Sequence, residues 1–277
     1  HIVQTWMSRA TQKTPASDVP KKYLKVARLG GYYNLKYFKG TDYFVAITPD
    51  IRDNLIKEGV AADHAVVLNN FANVETVTTS VRRADLQTPE DATVILALSR
   101  YHQAKALDVL IAAAAEIDNV HLWLAGEGPL ESDLRKQATD LGIADRVHFL
   151  GWRTDRGALL QAADICVFPS RHEPFGTVFV QAWAQQTPVI CSRSQGPSQY
   201  VRDGEDGLLF DIDNVSQLAD CIRKISSDKG LGDRLAQAGY QRYLGEFERL
   251  KIVDHYMTFY RDILRREGML GNQAEAA

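Results

Sequence analysis

Short apolar runs alternate with segments of helical pattern along most of this chain. The run from Val94 to Leu98 is continuous, and such runs are typical of parallel strands that are buried on both faces. Their alternation with helical segments predicts βαβ units, and therefore a parallel sheet of about six strands in the second part of the chain. The predicted strands are Val94–Leu98, His121–Ala125, Val147–Leu150, Ile165–Phe168, Val189–Cys191 and Leu208–Phe210.

The first part of the chain shows the same alternation of apolar runs and helical segments, with fewer strands. It predicts strands at Ile2–Trp6, Tyr43–Ile47 and Ala65–Leu68, with Thr48 capping a helix that has Pro49 in its first turn. Doubly wound sheets normally have more strands than this, so we expect the chain to be the later part of a longer protein.

The predicted helices follow the strands, and the last of them form a helical tail. They cover residues 105–116, 130–141, 155–162, 177–186, 215–226, 231–243 and 249–266. Phe179 and Trp183 lie four residues apart on one helix and are predicted to be core side chains rather than ligand contacts. The last helix has an apolar stripe at helical spacing, formed by Tyr256, Phe259, Tyr260 and Ile263. Residues 69–92 are polar and lack periodicity, which predicts a connector.

Composition restricts the possible functions. The 277 residues are 45% hydrophobic and 24% charged, as in globular proteins, and the net charge of -3 argues against general nucleic-acid binding. No run of about 18 uncharged apolar residues exists, so no transmembrane helix is predicted. Cys166, Cys191 and Cys221 lack the spacing of a zinc or redox site and are predicted to be buried free thiols of a cytoplasmic protein.

Candidate chemistry lies in the loops after the strands, because open α/β sheets bind ligands at the carboxyl ends of their strands. After the first strand of the larger sheet, Arg100 and Lys105 flank a loop that enters a helix, where they can bind a diphosphate or remain solvated. After the next strand, Gly126 and Gly128 permit either close approach of a ligand or a plain turn.

The most informative loop follows Ile165–Phe168. Glu173 can accept hydrogen bonds from sugar hydroxyls, and the amides around Gly176 and Thr177 open a helix that can meet a phosphate. Gln181 lies two helical turns beyond Glu173 and on a related face. The loop Ser192–Gln199 follows the next strand and is predicted to be flexible and polar. The chain has no G-x-G-x-x-G and no G-K-[ST] loop, which disfavours a dinucleotide dehydrogenase and a P-loop enzyme.

These segments, in their order and spacing, resemble the retaining glycosyltransferases of the glycosyltransferase group 1 family (family 4). The resemblance covers about residues 65–265. It is carried by Ser99-Arg100 with Lys105, Gly126–Pro129, Val147–Gly151, Ala163-Asp164, Pro169-Ser170, Glu173–Gly176, Gln181–Ala184, Thr187–Ile190, Asp203-Gly204 and Gly207–Leu209. It implies an α/β GT-B fold: two Rossmann-like domains whose parallel sheets face each other across a cleft, the first of them incomplete in this chain.

The resemblance also implies a division into domains. Residues 1–72 would be part of the N-terminal, acceptor-side domain, and residues 73–246 would be the domain that binds a nucleotide sugar. Residues 247–277 would cross back to the first domain as a helix.

The resemblance assigns roles to individual residues. Arg100 and Lys105 would hold the donor diphosphate and stabilise the charge of the leaving nucleotide, and Glu173 would contact hydroxyls of the donor sugar. Further donor contacts are implied for the two glycines of the second loop and for residues near the base, sugar and phosphate. They are Gly126, Gly128, Phe149, Leu150, Phe175, Gly176, Thr177 and Gln181, and the whole segment Phe149–Trp152 would face the base.

The chain departs from the family pattern at three positions. Gln181 replaces the glutamate that usually binds the ribose, which keeps an acceptor oxygen but removes the charge. Ala106 replaces the glycine after the lysine, and Gln199 replaces a glutamate of the later loop. The histidine that many relatives carry after a strand of the first domain is absent from the nearest candidate segment, 26–32.

The implied activity is transfer of a sugar, with retention, from a UDP- or GDP-sugar to a glycan or lipid-linked acceptor of the bacterial cell surface, such as lipopolysaccharide, without a metal. Three alternatives stay open: a nucleotide-sugar-binding module without turnover, a GT-B epimerase and, less favoured, a phosphorylase.

Residues 19–41 contain no acid but carry six cations and several aromatic side chains. The cations are Lys21, Lys22, Lys25, Arg28, Lys36 and Lys39. Such a segment can dock on an anionic membrane surface, can bind a polyanionic acceptor, or can be an ordinary solvated basic helix. Peripheral association with the inner face of the membrane is therefore one expectation.

Overall fold

The computed structural model describes residues 1–72, 74 and 76–270. It divides into two compact units, of which unit 1 comprises residues 1–71 with the chain from residue 247 onwards. Unit 2 comprises residues 72–246. Each unit is built around its own parallel sheet.

Unit 1 contains a four-stranded parallel sheet in the order β1-β2-β3-β4. The strands are β1 (Ile2–Trp6), β2 (Leu24–Leu29), β3 (Tyr43–Ala46) and β4 (Ala65–Val67). Helix α1 (Met7–Lys13) follows β1 directly, and α2 (Pro49–Lys57) follows β3. A single 3₁₀ turn, Leu35–Phe38, precedes β3.

The predicted number of three strands in this region is wrong, because the apolar pattern does not reveal β2. Lys25 interrupts the apolar pattern of β2, yet its side chain is buried. Its ammonium donates to the backbone oxygens of Thr14 at 2.7 Å and Lys39 at 3.3 Å, while burial lowers the pKa of the lysine. The basic segment 19–41 is therefore a strand and a short turn rather than a helix.

Thr48 occupies the N-cap position of α2, as predicted, but does not cap it through its side chain. Its hydroxyl donates to Asp50 Oδ1 at 2.5 Å instead. Pro49 lies in the first turn of the helix, as predicted.

Unit 2 contains six parallel strands in the order β10-β9-β8-β5-β6-β7. The strands are β5 (Thr93–Leu98), β6 (Val120–Ala125), β7 (Val147–Gly151), β8 (Ile165–Phe168), β9 (Val189–Ser192) and β10 (Leu208–Phe210). The helices are α3 (Leu107–Ala115), α4 (Glu131–Asp140), α5 (Arg156–Ala162), α6 (Thr177–Ala184), α7 (Pro197–Tyr200), α8 (Val215–Ser227) and α9 (Lys229–Arg242). The six strands that the apolar runs predicted are all present.

The core of unit 2 accounts for the continuous apolar runs. Strands β5, β8 and β9 lie inside the sheet, and almost every residue of them is buried. Phe179 and Trp183 are fully buried, as predicted, and stack edge to face at 4.9 Å. The three cysteines are free and buried, also as predicted.

Two local predictions in unit 2 need correction. Lys105 lies in a 3₁₀ turn and not in a helix, because Ala106 takes a left-handed backbone (φ 51°) and α3 begins only at Leu107. The loop after β9 contains the short helix α7. The connector 69–92 contains a 3₁₀ turn at Arg83–Leu86.

A π-helical turn (Tyr243–Phe247) precedes the last helix, α10 (Arg249–Arg266). Side chains of the predicted stripe pack with the core of the unit 1 sheet, where Tyr43 meets Phe259 edge to face at 6.3 Å. The Tyr43 hydroxyl also donates to Glu267 Oε1 at 2.9 Å. Residues 271–277 of the predicted C-terminal segment lie outside the described residues. Among the described residues, no helix is both long and apolar enough to cross a membrane.

Candidate active site

The loops after β5 and β6 are joined to each other through their backbones. Ser99 N donates to Ala125 O at 3.1 Å, and Tyr101 N donates to Glu127 O at 3.0 Å. A Cβ atom on Gly126 would lie 1.9 Å from Ser99 O, and one on Gly128 would lie 2.3 Å from Tyr101 O. Both predicted glycines are therefore required for the two loops to meet, which fixes the backbone at this edge of the sheet.

A cleft of about 390 Å³ opens beside these loops, at the carboxyl ends of β5, β6 and β7. Its lining comprises Leu98, Ser99, Arg100, Ala125, Gly126, Glu127, Trp152, Arg153, Arg156, Val178 and Gln181. Arginines are the lining cations and Glu127 is the lining carboxylate, so the net charge of the lining is positive. An anionic ligand with a flat apolar part fits such a surface.

The wall of the cleft that contains Trp152 and Arg153 is stabilised by an ion pair between Arg153 and Asp155. Arg153 donates two hydrogen bonds to Asp155, from Nε at 2.8 Å and from Nη2 at 2.6 Å, which lowers the pKa of that carboxyl. Trp152 is 73% exposed, and its backbone N–H donates to Glu127 Oε1 at 3.3 Å. The wall thus presents a large, accessible aromatic ring on an ordered loop.

Lys105 and Glu173 form an ion pair at the same edge of the sheet. Lys105 comes from the turn after β5 and Glu173 from the loop after β8, and β5 and β8 are adjacent strands. Both side chains are half-buried, with exposed fractions of 26% and 16%. The Lys105 ammonium also lies 5.6 Å from the centroid of the Phe168 ring. Two predicted residues that are 68 positions apart in sequence are thus in contact.

Arg171 braces the two loops that carry this ion pair. It donates to Gln103 O at 2.8 Å and to both carboxylate oxygens of Asp108, at 3.0 and 2.6 Å. Its Nε lies 2.6 Å from Asp213 Oδ1, and its backbone N–H donates to Ala104 O at 2.9 Å. These contacts tie the turn of Lys105 to the loop of Glu173.

The loop of Glu173 ends at the start of α6. Gly176 is the N-cap with φ 97°, and a Cβ atom there would lie 2.9 Å from the Phe168 ring. No side chain caps the helix, and its first turn contains no acid. The first amides of α6, beginning at Thr177, are consequently suited to an anion.

The other predicted residues are placed differently. Phe175 is 2% exposed and packs edge to face on Tyr200 at 5.3 Å, so a ligand can meet its backbone but not its ring. Phe149 packs edge to face on Tyr101 at 5.9 Å, and Leu150 is half-buried. Neither Phe149 nor Leu150 belongs to the cleft lining.

Three charged residues of the cleft lining, Glu127, Arg153 and Arg156, were given no role in the sequence-based prediction. A usable signal existed, because Arg153 and Arg156 lie between the end of β7 and the start of α5, at the carboxyl edge where open α/β sheets bind ligands. Among the described residues, no cluster of three or more His, Cys, Asp or Glu is arranged to hold a metal ion.

Comparison with known proteins identifies relatives of the chain. The model of the family "Glycosyl transferases group 1" matches residues 79–242. The lipopolysaccharide core biosynthesis glycosyltransferase LpsE of Rhizobium meliloti is 39% identical over 257 residues, which are 92% of this chain and 74% of that protein. LpsD of the same organism is 34% identical over 96% of this chain and 76% of its own length.

Solved structures are similar in fold. Anabaena HepE in complex with UDP matches with a TM-score of 0.80 at 23% identity, over 87% of this chain and 73% of that one. WaaG, a glycosyltransferase involved in lipopolysaccharide biosynthesis, matches with a TM-score of 0.68 at 17% identity, over 80% of this chain and 73% of that one.

The two parallel sheets and the solved structures they resemble define the fold, which is the α/β GT-B fold. More narrowly, the chain belongs to the glycosyltransferase group 1 family, which the resemblance in its sequence indicated.

Proposed function

We propose that this protein transfers a sugar from a nucleotide-diphosphate donor to a glycan or lipid-linked acceptor, with retention of configuration. The observation that carries the proposal is the cationic cleft at the carboxyl edge of unit 2, with the Lys105–Glu173 ion pair at the same edge. The family to which the chain belongs supports it.

In this proposal the donor lies along the edge from the cleft to the start of α6. The base stacks near Trp152, and the ribose hydroxyls donate to Gln181. Arg100, Lys105 and the first amides of α6 hold the diphosphate, because cations and a helix N-terminus both favour negative charge there. Glu173 accepts hydrogen bonds from the hydroxyls of the donor sugar.

The Lys105–Glu173 ion pair gives the site a further property. Without donor, the lysine is neutralised by the glutamate, whereas with donor it is shared between the carboxylate and the phosphate. As the bond between the anomeric carbon and the phosphate oxygen breaks, negative charge grows on that oxygen, and Lys105 and Arg100 stabilise it. The leaving phosphate takes the proton of the acceptor hydroxyl, whose oxygen forms the new bond on the same face of the sugar.

The names of the relatives support one class of acceptor for this proposal. LpsE and LpsD are named as lipopolysaccharide core biosynthesis glycosyltransferases, and HepE was solved with UDP. We therefore infer a UDP- or GDP-sugar as donor and the lipid-linked core of a bacterial surface glycan as acceptor, with the protein acting in the cytoplasm.

Peripheral membrane contact is part of the proposal, although the basic segment offers less free charge than its composition suggests. Lys21 lies 2.8 Å from Asp42 Oδ1, Lys25 is buried, and Arg28 donates to Asn70 and Tyr256. The remaining cations are exposed. They are Lys22, Lys36 and Lys39. Each adds about 1 kcal/mol of attraction to an anionic leaflet when it lies near the surface.

Calorimetric titration with UDP, GDP and ADP tests the donor site. We expect one nucleotide to bind and Lys105→Ala to weaken it about 10- to 100-fold, since a hydrogen bond to a charged group contributes ~1.5–3 kcal/mol. The matched control is Lys136→Ala, because Lys136 is 73% exposed on α4 and pairs only locally with Asp140. If no nucleotide binds, or if both variants bind equally well, the proposed donor site is wrong.

A second candidate is a nucleotide-sugar-binding module without turnover. Gln181 favours it, because the cleft carries a neutral amide where the family usually has a glutamate. The two functions differ in one assay: a module binds the nucleotide sugar but neither hydrolyses nor transfers it, whereas the proposed enzyme releases the nucleotide. Gln181→Glu is expected to tighten donor binding in either case.

A further inference from the structure

Unit 1 has an exposed tryptophan at the carboxyl edge of its sheet. Trp6 is the last residue of β1 and is 58% exposed. Of the four tryptophans in the sequence, Trp123 and Trp183 are fully buried in unit 2, and Trp152 lines the cleft. Trp6 therefore has neither a place in a core nor one in the donor cleft.

The ring of Trp6 is held from behind by an arginine. Trp6 pairs with Arg28 across β1 and β2, and the guanidinium carbon lies 4.2 Å from the ring centroid. Arg28 is itself held, since its Nε donates to the Tyr256 hydroxyl at 3.1 Å and its Nη2 donates to Asn70 Oδ1. Because the guanidinium covers one face of the ring, the exposed area of Trp6 belongs mainly to the other face and the edge.

The turn after Trp6 is strained. Met7 takes φ 65°, which is uncommon for a residue other than glycine, and its side chain is 53% exposed. Such backbone conformations are concentrated at binding and active sites. The turn sends the chain directly into α1, and Trp6 remains at the edge of the sheet.

We propose that Trp6 is a stacking platform for a pyranose ring of the acceptor. An aromatic ring with one free face suits the apolar C–H face of a pyranose. Because Arg28 already fixes the ring, little side-chain entropy is lost on binding. This inference rests on the proposed transferase function and adds to it a residue that selects the acceptor.

Steady-state kinetics with the full-length chain test the platform. The acceptor is the truncated core oligosaccharide that accumulates in the host when the gene is deleted. The donor is a nucleotide sugar that carries the nucleotide found to bind in the calorimetric titration. We expect Trp6→Ala to raise the acceptor KM about tenfold, which corresponds to about 1.4 kcal/mol, and to leave the donor KM unchanged. Trp6→Phe, which keeps a smaller ring, should lie between.

Two further variants make the result specific. Leu250→Ala removes another exposed apolar side chain of unit 1, 71% exposed on α10, and should change neither KM. Trp152→Ala should show the reverse pattern, with a raised donor KM. An unchanged acceptor KM in folded Trp6→Ala overturns the platform, and so does an equal rise in both KM values.

A spectroscopic readout is independent of turnover. In Trp152→Phe protein, three tryptophans remain, and Trp6 is the exposed one among them. Saturating acceptor oligosaccharide should reduce the quenching of Trp6 fluorescence by acrylamide. Unchanged quenching counts against the platform. If the unaltered protein binds no nucleotide, the proposed function fails instead, so the two failures are distinguishable.

Discussion

The carboxyl edges of the two sheets are built in different ways. In unit 2, backbone contacts hold the edge: the loops after β5 and β6 exchange hydrogen bonds, and Gly126 and Gly128 let them touch. In unit 1, side chains hold the edge, since Trp6 is backed by Arg28, which is held in turn by two distant side chains. One edge is a fixed cationic cleft and the other is a braced aromatic surface.

This difference has a functional meaning. Nucleoside-diphosphate sugars all present the same diphosphate, so a rigid backbone frame with cations serves them well. Acceptors differ from one glycan to the next, and a side-chain surface can be altered by single substitutions without disturbing the sheet. We therefore expect substitutions in unit 2 to affect donor use or folding, and those at Trp6 to affect acceptor use.

Gly126→Ala should have the largest effect on the unit 2 edge. The added Cβ would lie 1.9 Å from a backbone oxygen at a φ of 153°, so the two loops must separate. We expect a loss of more than about 3 kcal/mol in unfolding free energy and loss of nucleotide binding, measured by denaturant unfolding and calorimetry. Gly245→Ala is the control, since its Cβ would meet nothing within 4 Å. Equal stability of the two variants would contradict the backbone account.

Arg171→Ala should lower kcat/KM for the donor about tenfold, because the turn that carries Lys105 loses the hydrogen bond from Arg171. Arg82 forms an exposed ion pair with the nearby Asp85, so Arg82→Ala is the control and should leave kcat/KM unchanged. A positioning role predicts non-additivity, so Arg171→Ala should cost little more once Lys105→Ala is present. Partial rescue by Arg171→Lys is expected. Fully additive effects would show that Arg171 does not act through Lys105.

Tyr256→Phe should have a smaller effect, confined to unit 1. It removes the hydroxyl that accepts from Arg28 Nε, at a cost of about 1 kcal/mol in stability. If Arg28 positions Trp6, the acceptor KM should rise by about two- to fivefold and the donor KM should stay constant. Tyr240 lies in unit 2, so Tyr240→Phe provides the comparison variant. An identical response of the two variants would argue against a role of Tyr256 in holding Arg28.

The pH dependence of stability should show the smallest effect. His121 and His148 stack at 5.3 Å, with Nδ1 and Nε2 3.0 Å apart, and burial lowers the pKa of both below 6.5. Both are neutral in the folded state near pH 7, whereas the unfolded chain takes up protons as the pH falls through 6.5. Stability should therefore decline below pH 6.5 and should decline less in His148→Gln. An equal slope in both proteins would exclude this pair as the cause.

The sequence predicts unit 2 well for a physical reason. Its strands are buried on both faces and appear as unbroken apolar runs, and its ligand loops directly follow them. Strand β2 of unit 1 could not be found in this way, because buried Lys25 satisfies its charge with carbonyls that only the folded chain supplies. The start of α3 was misplaced because Ala106 adopts a left-handed backbone that is unusual for alanine.

The contacts within the candidate site were less predictable than its members. Lys105 and Glu173 were each predicted, but their pairing depends on the adjacency of β5 and β8, which local patterns do not encode. Phe175 was predicted beside the ligand, yet its ring serves the core. The role proposed for Trp6 could not be predicted, because it depends on contacts among Arg28, Asn70 and Tyr256 that form only in the folded unit.

Amide hydrogen exchange with and without the bound nucleotide tests the central claim most directly, because it reports both edges in one experiment. We predict that UDP, or whichever of UDP, GDP and ADP binds, slows exchange at residues 99–106, 126–130 and 173–181, while exchange at residues 5–8 stays unchanged until acceptor oligosaccharide is added. Protection by nucleotide at residues 5–8, without protection in the unit 2 loops, would contradict the assignment of the two edges.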